Sequence, residues 1–355
     1  MSSFCIHVLN VGHGDSIILE LPDNNWGVVD CFKTSAEVEL PALSFLKARN
    51  VTKLKFVCLT HPHYDHYHGM LDILEYFSSG DREIESFWDF GLDTEKLTYF
   101  KNRFGSEKEY RELLSLYGFI LKKVTENGGI EYRILGLKTD CLEIGSLKIK
   151  SYAPISSDIL RYFEKWGKGK IKIDENLLSV VLVITCVDTN IVLGADTQSW
   201  EEILRVWSED CEYEKRKPKF HFVKVSHHGS KYGNHVGLWK SFTKRGKSVA
   251  VISTGSKYNF PHKETVTSII SSKVKLYSTN FRDFSKPISR VFLVEYQEKG
   301  FISQSLLEAL EASTLPVQDF EIIAPYHGNC SVTIEDNGKC QVLPEIHRPS
   351  VTSIP

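Results

Sequence analysis

Thr60-His61-Pro62-His63-Tyr64-Asp65-His66-Tyr67-His68-Gly69 holds four of the chain's 13 histidines and one carboxylate within ten residues. An apolar run precedes it, Leu54-Lys55-Phe56-Val57-Cys58-Leu59, with the length and composition of a buried strand. After it, Gly69 to Phe77 places apolar residues at helical spacing. The cluster therefore sits where a strand passes into a helix, the place where ligands collect in open α/β sheets. His61 and His63 are two apart, so on extended backbone both imidazoles point to one side. Two neutral imidazoles on one side can grip a divalent ion. Asp65 and His66 lie on the turn entering the helix and face the same void from another direction. One ion on His61 and His63 and a second on Asp65 and His66 would make a two-metal site, able to activate water and polarise an ester or phosphate oxygen.

Upstream, the chain opens with short strands. Phe4 to Val11, Ser16 to Leu21 and Trp26 to Asp30 are separated by Gly12-His13-Gly14-Asp15 and Pro22-Asp23-Asn24-Asn25, both turn-rich. A first helix is expected over Glu37 to Arg49. Downstream, Glu85 to Phe90 reads as a strand, and Thr94 to Lys123 as a charged helical insertion lying within about 78–130. Its aromatics, Tyr99, Phe100, Phe104, Tyr110 and Tyr117, are expected in the core. Leu142 to Pro154 alternates as a hairpin, and a polar helix follows over Ser156 to Trp166. Glu175-Asn176-Leu177-Leu178-Ser179 feeds an apolar strand. Thr189-Asn190 reads as a turn, and Ile191 to Thr197 as a strand ending in the carboxylate of Asp196, with Gly194 permitting close approach. Phe220 to Val225 is a buried strand that delivers Ser226-His227-His228-Gly229-Ser230. Val249 to Gly255 is another strand, followed by Tyr258-Asn259-Phe260-Pro261-His262. In the last stretch, Ser303 to Ala312 reads as a helix. Two strands flank Asn337-Gly338 as a hairpin, in a register that does not oppose Cys330 to Cys340.

Composition limits the function classes. The 355 residues are 42% hydrophobic and 25% charged, an ordinary globular balance. No run reaches the ~18 apolar residues of a membrane helix. The opening Met1-Ser2-Ser3-Phe4-Cys5-Ile6-His7 has no basic segment followed by an apolar one, so no secretory signal is expected. The eight cysteines are scattered, with no Cys-x-x-Cys pair. Reduced thiols and a cytoplasmic location are the expectation. A net charge of −2 gives no bulk attraction to nucleic acid, so a polyanion would need a local basic stripe.

The His-x-His-x-Asp-His spacing over His61, His63, Asp65 and His66 resembles the signature of the metallo-β-lactamase superfamily. That resemblance implies a four-layer αββα sandwich with metals between the sheets. Val11-Gly12-His13-Gly14-Asp15-Ser16 is similar to the Val-Gly-Gln-Gly-Asp-Ser opening of one branch, the metallo-β-lactamase domain of competence DNA-uptake proteins and their free-standing relatives. His13 stands in place of the glutamine. The resemblance makes Asp30 a residue that orients ligands by accepting hydrogen bonds, and Asp196 a bridge between both ions, with Ala195 inserted before it. The superfamily's usual third histidine near Asn176 is missing. The branch has Asn-x-x-Ser there, which makes Asn176 and Ser179 candidate site residues. Val-x-His-His-Gly-Ser matches over Val225 to Ser230. One of His227 and His228 would replace the missing ligand or hand a proton to the leaving oxygen, with His228 facing the site and His227 supporting it. His262 matches the last histidine and would hold the second ion with Asp65 and His66, although Pro261 stands where glycine is usual. The implied domain spans about 1–300, with 301–355 as an accessory extension.

These readings imply a hydrolase using two Zn2+ or Mn2+ ions on a phosphodiester, with single-stranded DNA as the substrate the branch suggests. Basic residues flank the motifs: Lys165, Lys168, Lys170, Lys172, Lys224, Lys231, Lys240, Lys244, Arg245 and Lys247. The alternatives are a small-molecule hydrolase (choline-phosphate esterase, cyclic nucleotide or lactone) and a subunit of a defence-type assembly docked through the C-terminal extension.

Overall fold

The computed structural model describes residues 4–33, 39–91, 106–126, 129–167, 174–253, 260–279, 329–334 and 340–345. Fifteen strands among them form two sheets. The first begins as the expected meander: β1 (Phe4–Val8), β2 (Ile17–Leu21) and β3 (Asn25–Val29), paired antiparallel. It continues through β4 (Lys53–Cys58), β5 (Glu83–Asp89) and β6 (Glu131–Ile134), which run parallel to β3. The second sheet repeats this plan. β7 (Thr139–Ile144), β8 (Leu147–Ala153), β9 (Val181–Cys186) and β10 (Thr189–Leu193) are antiparallel. β11 (Phe220–Lys224), β12 (Val249–Ile252) and β13 (Lys275–Ser278) then run parallel to β10. The turn between β9 and β10 is Val187-Asp188, two residues earlier than expected. Thr189 already pairs with Cys186, and Val187 takes the left-handed φ of 51° the turn needs.

Side-chain alternation sets the layers. In β9, Leu182 and Ile184 enter one apolar core with Ile6, Ile18, Val28 and Phe222, while Val181 and Val183 enter another with Trp200 and Trp207. β12 does the same, with Val249 and Val251 in the first core and Ala250 and Ile252 in the second. The first core also takes up side chains of α1 (Pro41–Ala48), α3 (Met70–Phe77) and α4 (Glu107–Thr125). The second is covered by α6 (Trp200–Tyr213), α7 (Val236–Ser241) and α8 (Lys263–Ser271). Two sheets flanked by helices make the αββα sandwich. α5 (Ser156–Gly167) follows β8, and α2 (Tyr64–Tyr67) is a single turn inside the histidine motif.

Some boundaries move for local reasons. α1 starts at Pro41, whose fixed φ suits a first helical position, rather than at Glu37. α4 begins at Glu107, capped by Ser106, whose side chain accepts the Glu109 amide, and buries Tyr110 and Tyr117. Tyr99, Phe100, Phe104, the basic loop 168–173 and the helix over 303–312 lie outside the described residues. The C-terminal hairpin, β14 (Asn329–Ile334) and β15 (Cys340–Glu345), pairs Cys330 with Pro344 and Cys340 with Ile334. β14 lies antiparallel to β1, so the hairpin extends the first sheet. Cys58, Cys141, Cys186 and Cys211 are buried thiols that form no disulfide. Among the described residues no helix is long and apolar enough to cross a membrane.

Candidate metal centre

Four loops build the site, each leaving the end of a strand in one of two parallel pairs. Asp30 follows β3, His61 to His66 follow β4, Asp196 follows β10, and His227 and His228 follow β11. β3 is parallel to β4 and β10 to β11, so both pairs present their carboxyl ends at one edge of the sandwich. Three of the four loops turn sharply. Asp30 (φ 56°), Ala195 (φ 43°), His227 (φ 52°) and His228 (φ 50°) all adopt the left-handed region that residues with a Cβ normally avoid. Ala195, the extra residue before Asp196, is where the chain absorbs the insertion. Gly194 is required beside it, because a Cβ there would stand 2.2 Å from Ser226 Oγ.

Hydrogen bonds fix the tautomers. His66 Nδ1 lies 2.7 Å from Asp30 Oδ2 and can only donate to it. Thr60 donates its amide and its hydroxyl to the same carboxylate, at 2.8 and 2.7 Å. The Thr60 hydroxyl oxygen is thereby left to accept from His61 Nδ1, 3.0 Å away. His228 Nδ1 donates to the Ser253 carbonyl at 3.1 Å. All three imidazoles therefore turn Nε2 toward the centre, the nitrogen that can ligate a metal once its proton is displaced. There, His61 Nε2 and His66 Nε2 lie 3.7 and 3.6 Å from the two oxygens of Asp196. His228 Nε2 lies 3.2 Å from Asp65 Oδ2 and 3.9 Å from Asp196 Oδ1. His227 Nε2 reaches Asp196 Oδ2 at 3.8 Å.

Charge is concentrated here. Burial alone would raise Asp196 and Asp65, yet His66 and His228 hold both carboxyls below the usual carboxylate range. Asp30 is raised by its burial, against the pull of His66. Burial would lower His66, but Asp196 and Asp30 override it and hold the imidazole well above its ordinary value. His61, buried beside His66 and His63, is pushed well below its own.

The donor set fits a divalent metal. Two nitrogens about 2.0–2.1 Å from one ion stand roughly 3 Å apart, and His61 Nε2 and His63 Nδ1 are separated by 3.0 Å. His66 Nε2, His228 Nε2 and Asp196 Oδ1 are buried and make no hydrogen bond within the described residues. Buried polar atoms are otherwise nearly always paired. His61, His66 and Asp196 place ligand atoms within 4.8 Å of one another, and so do His13, Asp65 and His228.

The family model described as the metallo-beta-lactamase superfamily matches residues 9–233. The chain belongs to the metallo-β-lactamase superfamily. Its members include metal-dependent hydrolases, and divalent ions are the family's usual cofactors. Solved structures with a similar chain path include the metallo-β-lactamase fold protein YhfI from Bacillus subtilis, at 11% identity and a TM-score of 0.40, covering 85% of this chain and 94% of that one. A diphosphatase of the PhnP family matches at 11% identity and a TM-score of 0.40, covering 94% and 98%. Tm1679, described as a metal-dependent hydrolase of the β-lactamase superfamily, matches at 11% and 0.41, covering 94% and 98%. No curated protein matches the sequence.

The superfamily motif thus brings together His61, His63, Asp65, His66, Asp196, His227 and His228, with Asp30 beneath them. Among the described residues no polar contact joins His262 to this cluster. It caps α8, its Nδ1 accepts the Lys231 amide at 3.0 Å, and its charged neighbours are Glu264 and Lys231. Asn176 and Ser179 are buried in and after a 3-10 turn, and no polar contact joins either to the cluster among the described residues. Their neighbour Glu175 does approach it, 3.5 Å from His63 Nε2.

Lys224 has a different place from the basic stripe expected of it. It is fully buried, its Nζ 2.7 and 2.9 Å from the two oxygens of Asp15 in the β1–β2 turn. A β-bulge at the start of β11 turns Phe222, and with it Lys224, toward the facing sheet. The ion pair therefore ties the two sheets together beside His228, whose Nδ1 is 3.9 Å from Asp15. Sequence reading passed over His13, Asp15 and Glu175 as site neighbours, and took Lys224 for a flanking cation. The one available signal was His13 itself, a histidine where the related motif has glutamine.

Proposed function

We propose that this protein is a phosphodiesterase that uses two divalent ions, Zn2+ or Mn2+, and acts on single-stranded DNA. The observation that carries this reading is the adjacency of two donor clusters. His66 Nε2 lies 3.6 Å from Asp196 and 4.0 Å from Asp65, so the carboxylates of both groups share one histidine neighbour. Paired donor clusters of nitrogen and carboxylate suit phosphoester hydrolysis, where the attacking and leaving oxygens both need stabilisation. Bound divalent ions supply Lewis acidity there and make water a nucleophile at neutral pH.

The chain's own residues prepare the site. Asp30 and Thr60 lock His66 and His61 with Nε2 inward, and Ser253 does the same for His228. Asp196 brings negative charge between the histidines and offsets part of the cationic charge. His227 is less enclosed than His228, its side chain 17% exposed against 1%. That exposure supports a role for His227 in passing a proton to the departing oxygen. DNA as the substrate rests on the similarity of Val11 to Ser16 and Val225 to Ser230 to the competence-type branch. Of the flanking cations, Lys231, Lys240, Arg245 and Lys247 are exposed and fit a backbone-tracking role.

The test is incubation of the full chain with labelled single-stranded DNA and Mn2+, beside a small chromogenic phosphodiester and a lactone. Cleavage of DNA that disappears in His63→Ala is the expected result. Turnover of the lactone alone overturns the reading. Turnover of the small phosphodiester without DNA keeps the chemistry and rejects the substrate.

A further inference from the structure

We infer that His13, not His262, completes the second metal position, with Asp65 and His228 as its companions. This assignment rests on the two-metal reading above. His13 Nε2 lies 3.7 Å from Asp65 Oδ2, the same oxygen that stands 3.2 Å from His228 Nε2. The His13 and His228 rings are 4.5 Å apart between centroids. The three ligand atoms therefore converge on one point beside the cluster of His61, His66 and Asp196. Two imidazole nitrogens and one carboxylate oxygen make a three-ligand set of the kind that holds Zn2+ with a position left open.

The backbone holds His13 there. Gly12 takes a φ of 72°, and Asp15 donates its amide to the Asp65 carbonyl at 3.1 Å. A Cβ on Gly14 would stand 2.8 Å from that carbonyl and 2.6 Å from the Phe32 ring, so only glycine lets the turn settle so closely. The Asp15–Lys224 pair anchors the same turn to the opposite sheet. His13 thus rides on a segment bonded to the backbone of Asp65, which fixes their relative position.

His262 keeps other company, its Nδ1 accepting the Lys231 amide at 3.0 Å. The Phe260 ring lies 5.7 Å from that of His13, 5.6 Å from that of His227 and 5.0 Å from that of His262. Pro261 packs on Gly229, where even a Cβ would lie 2.5 Å from Pro261 Cβ. The chain departs from the related motif at two places. Proline replaces glycine before His262, and histidine replaces glutamine at 13, where it joins Asp65 and His228.

The experiment is metal stoichiometry on the full chain, loaded with Zn2+, freed of excess and measured by elemental analysis. Wild type is expected to hold two ions, His13→Ala one and His262→Ala two. Co2+ loading should show the same step: the absorption that develops with the second equivalent disappears in His13→Ala. His13→Gln keeps size and polarity, and with an unchanged circular dichroism spectrum it guards against a misfolded alanine variant. Two ions in both His13 variants overturn the assignment, as does a loss in His262→Ala. One ion in wild type overturns it while leaving a metal hydrolase intact. No ion in wild type removes the proposed function as well.

Discussion

The loop after β4 supplies His61, His63, Asp65 and His66 within six residues, and its supports, Thr60 and Asp30, lie on the same strand end and on the neighbouring parallel strand. The loop after β11 supplies His227 and His228 alone. It borrows Asp196 from β10, Ser253 from β12 and Asp15 from the facing sheet. The first loop is a local device, in which a short strand exit and a single helical turn aim the ligands. The second is assembled by the sandwich itself, through a buried ion pair and two successive left-handed residues. The difference teaches that one site can join a half written in contiguous sequence to a half that exists only once two sheets have packed.

Asp196 serves both halves, so its removal should be the most damaging change. Asp196→Ala is expected to reduce phosphodiester hydrolysis to the uncatalysed background and to deplete both ions, read by elemental analysis. Retention of one ion at full occupancy would show that the halves bind independently. Lys224→Met attacks the second half only. It strands the buried Asp15 carboxylate and should cost about 3–5 kcal/mol in chemical denaturation, most of it recovered by adding Asp15→Leu. A smaller loss in the single variant would mean that the sandwich does not depend on this tie.

Asp30→Asn attacks the first half. It keeps the shape but weakens the anchor of His66, and metal affinity should fall roughly 10–100-fold in competition with a chelator while the fold persists. The smallest effect lies at the far end of β11. There His221 is held down to about 4 by burial and the neighbouring Lys244 ammonium, against ~6.5 in the unfolded chain. The folded protein resists that proton, so the contribution is complete above about pH 6.5 and is lost as pH falls toward 4. His221→Gln should flatten that decline, measured by denaturation at pH 7 and pH 5, without changing metal content.

The contiguous half was readable in advance because His61 and His63 share a side of an extended segment and the next residues enter a helix, whatever the rest of the chain does. Asp30 and Asp196 were readable as strand-end carboxylates, since the apolar runs before them announce the strands. His262 was read from its spacing, which carries no information about the bond its Nδ1 accepts from the Lys231 amide. Lys224 misled because a lysine in sequence reads as solvated, and only the bulge in β11 and the carboxylate of Asp15 opposite explain its burial.

Sequence alone determined the strand runs, the ligand chemistry of His61 to His66 and the superfamily, because periodicity and short spacings act over a few residues. The tertiary structure decided which distant side chains meet: His13 with Asp65, Lys224 with Asp15, and His228 with Asp196. Those meetings depend on how two sheets stack and how sharply each loop turns, and sums over the whole packed core govern both.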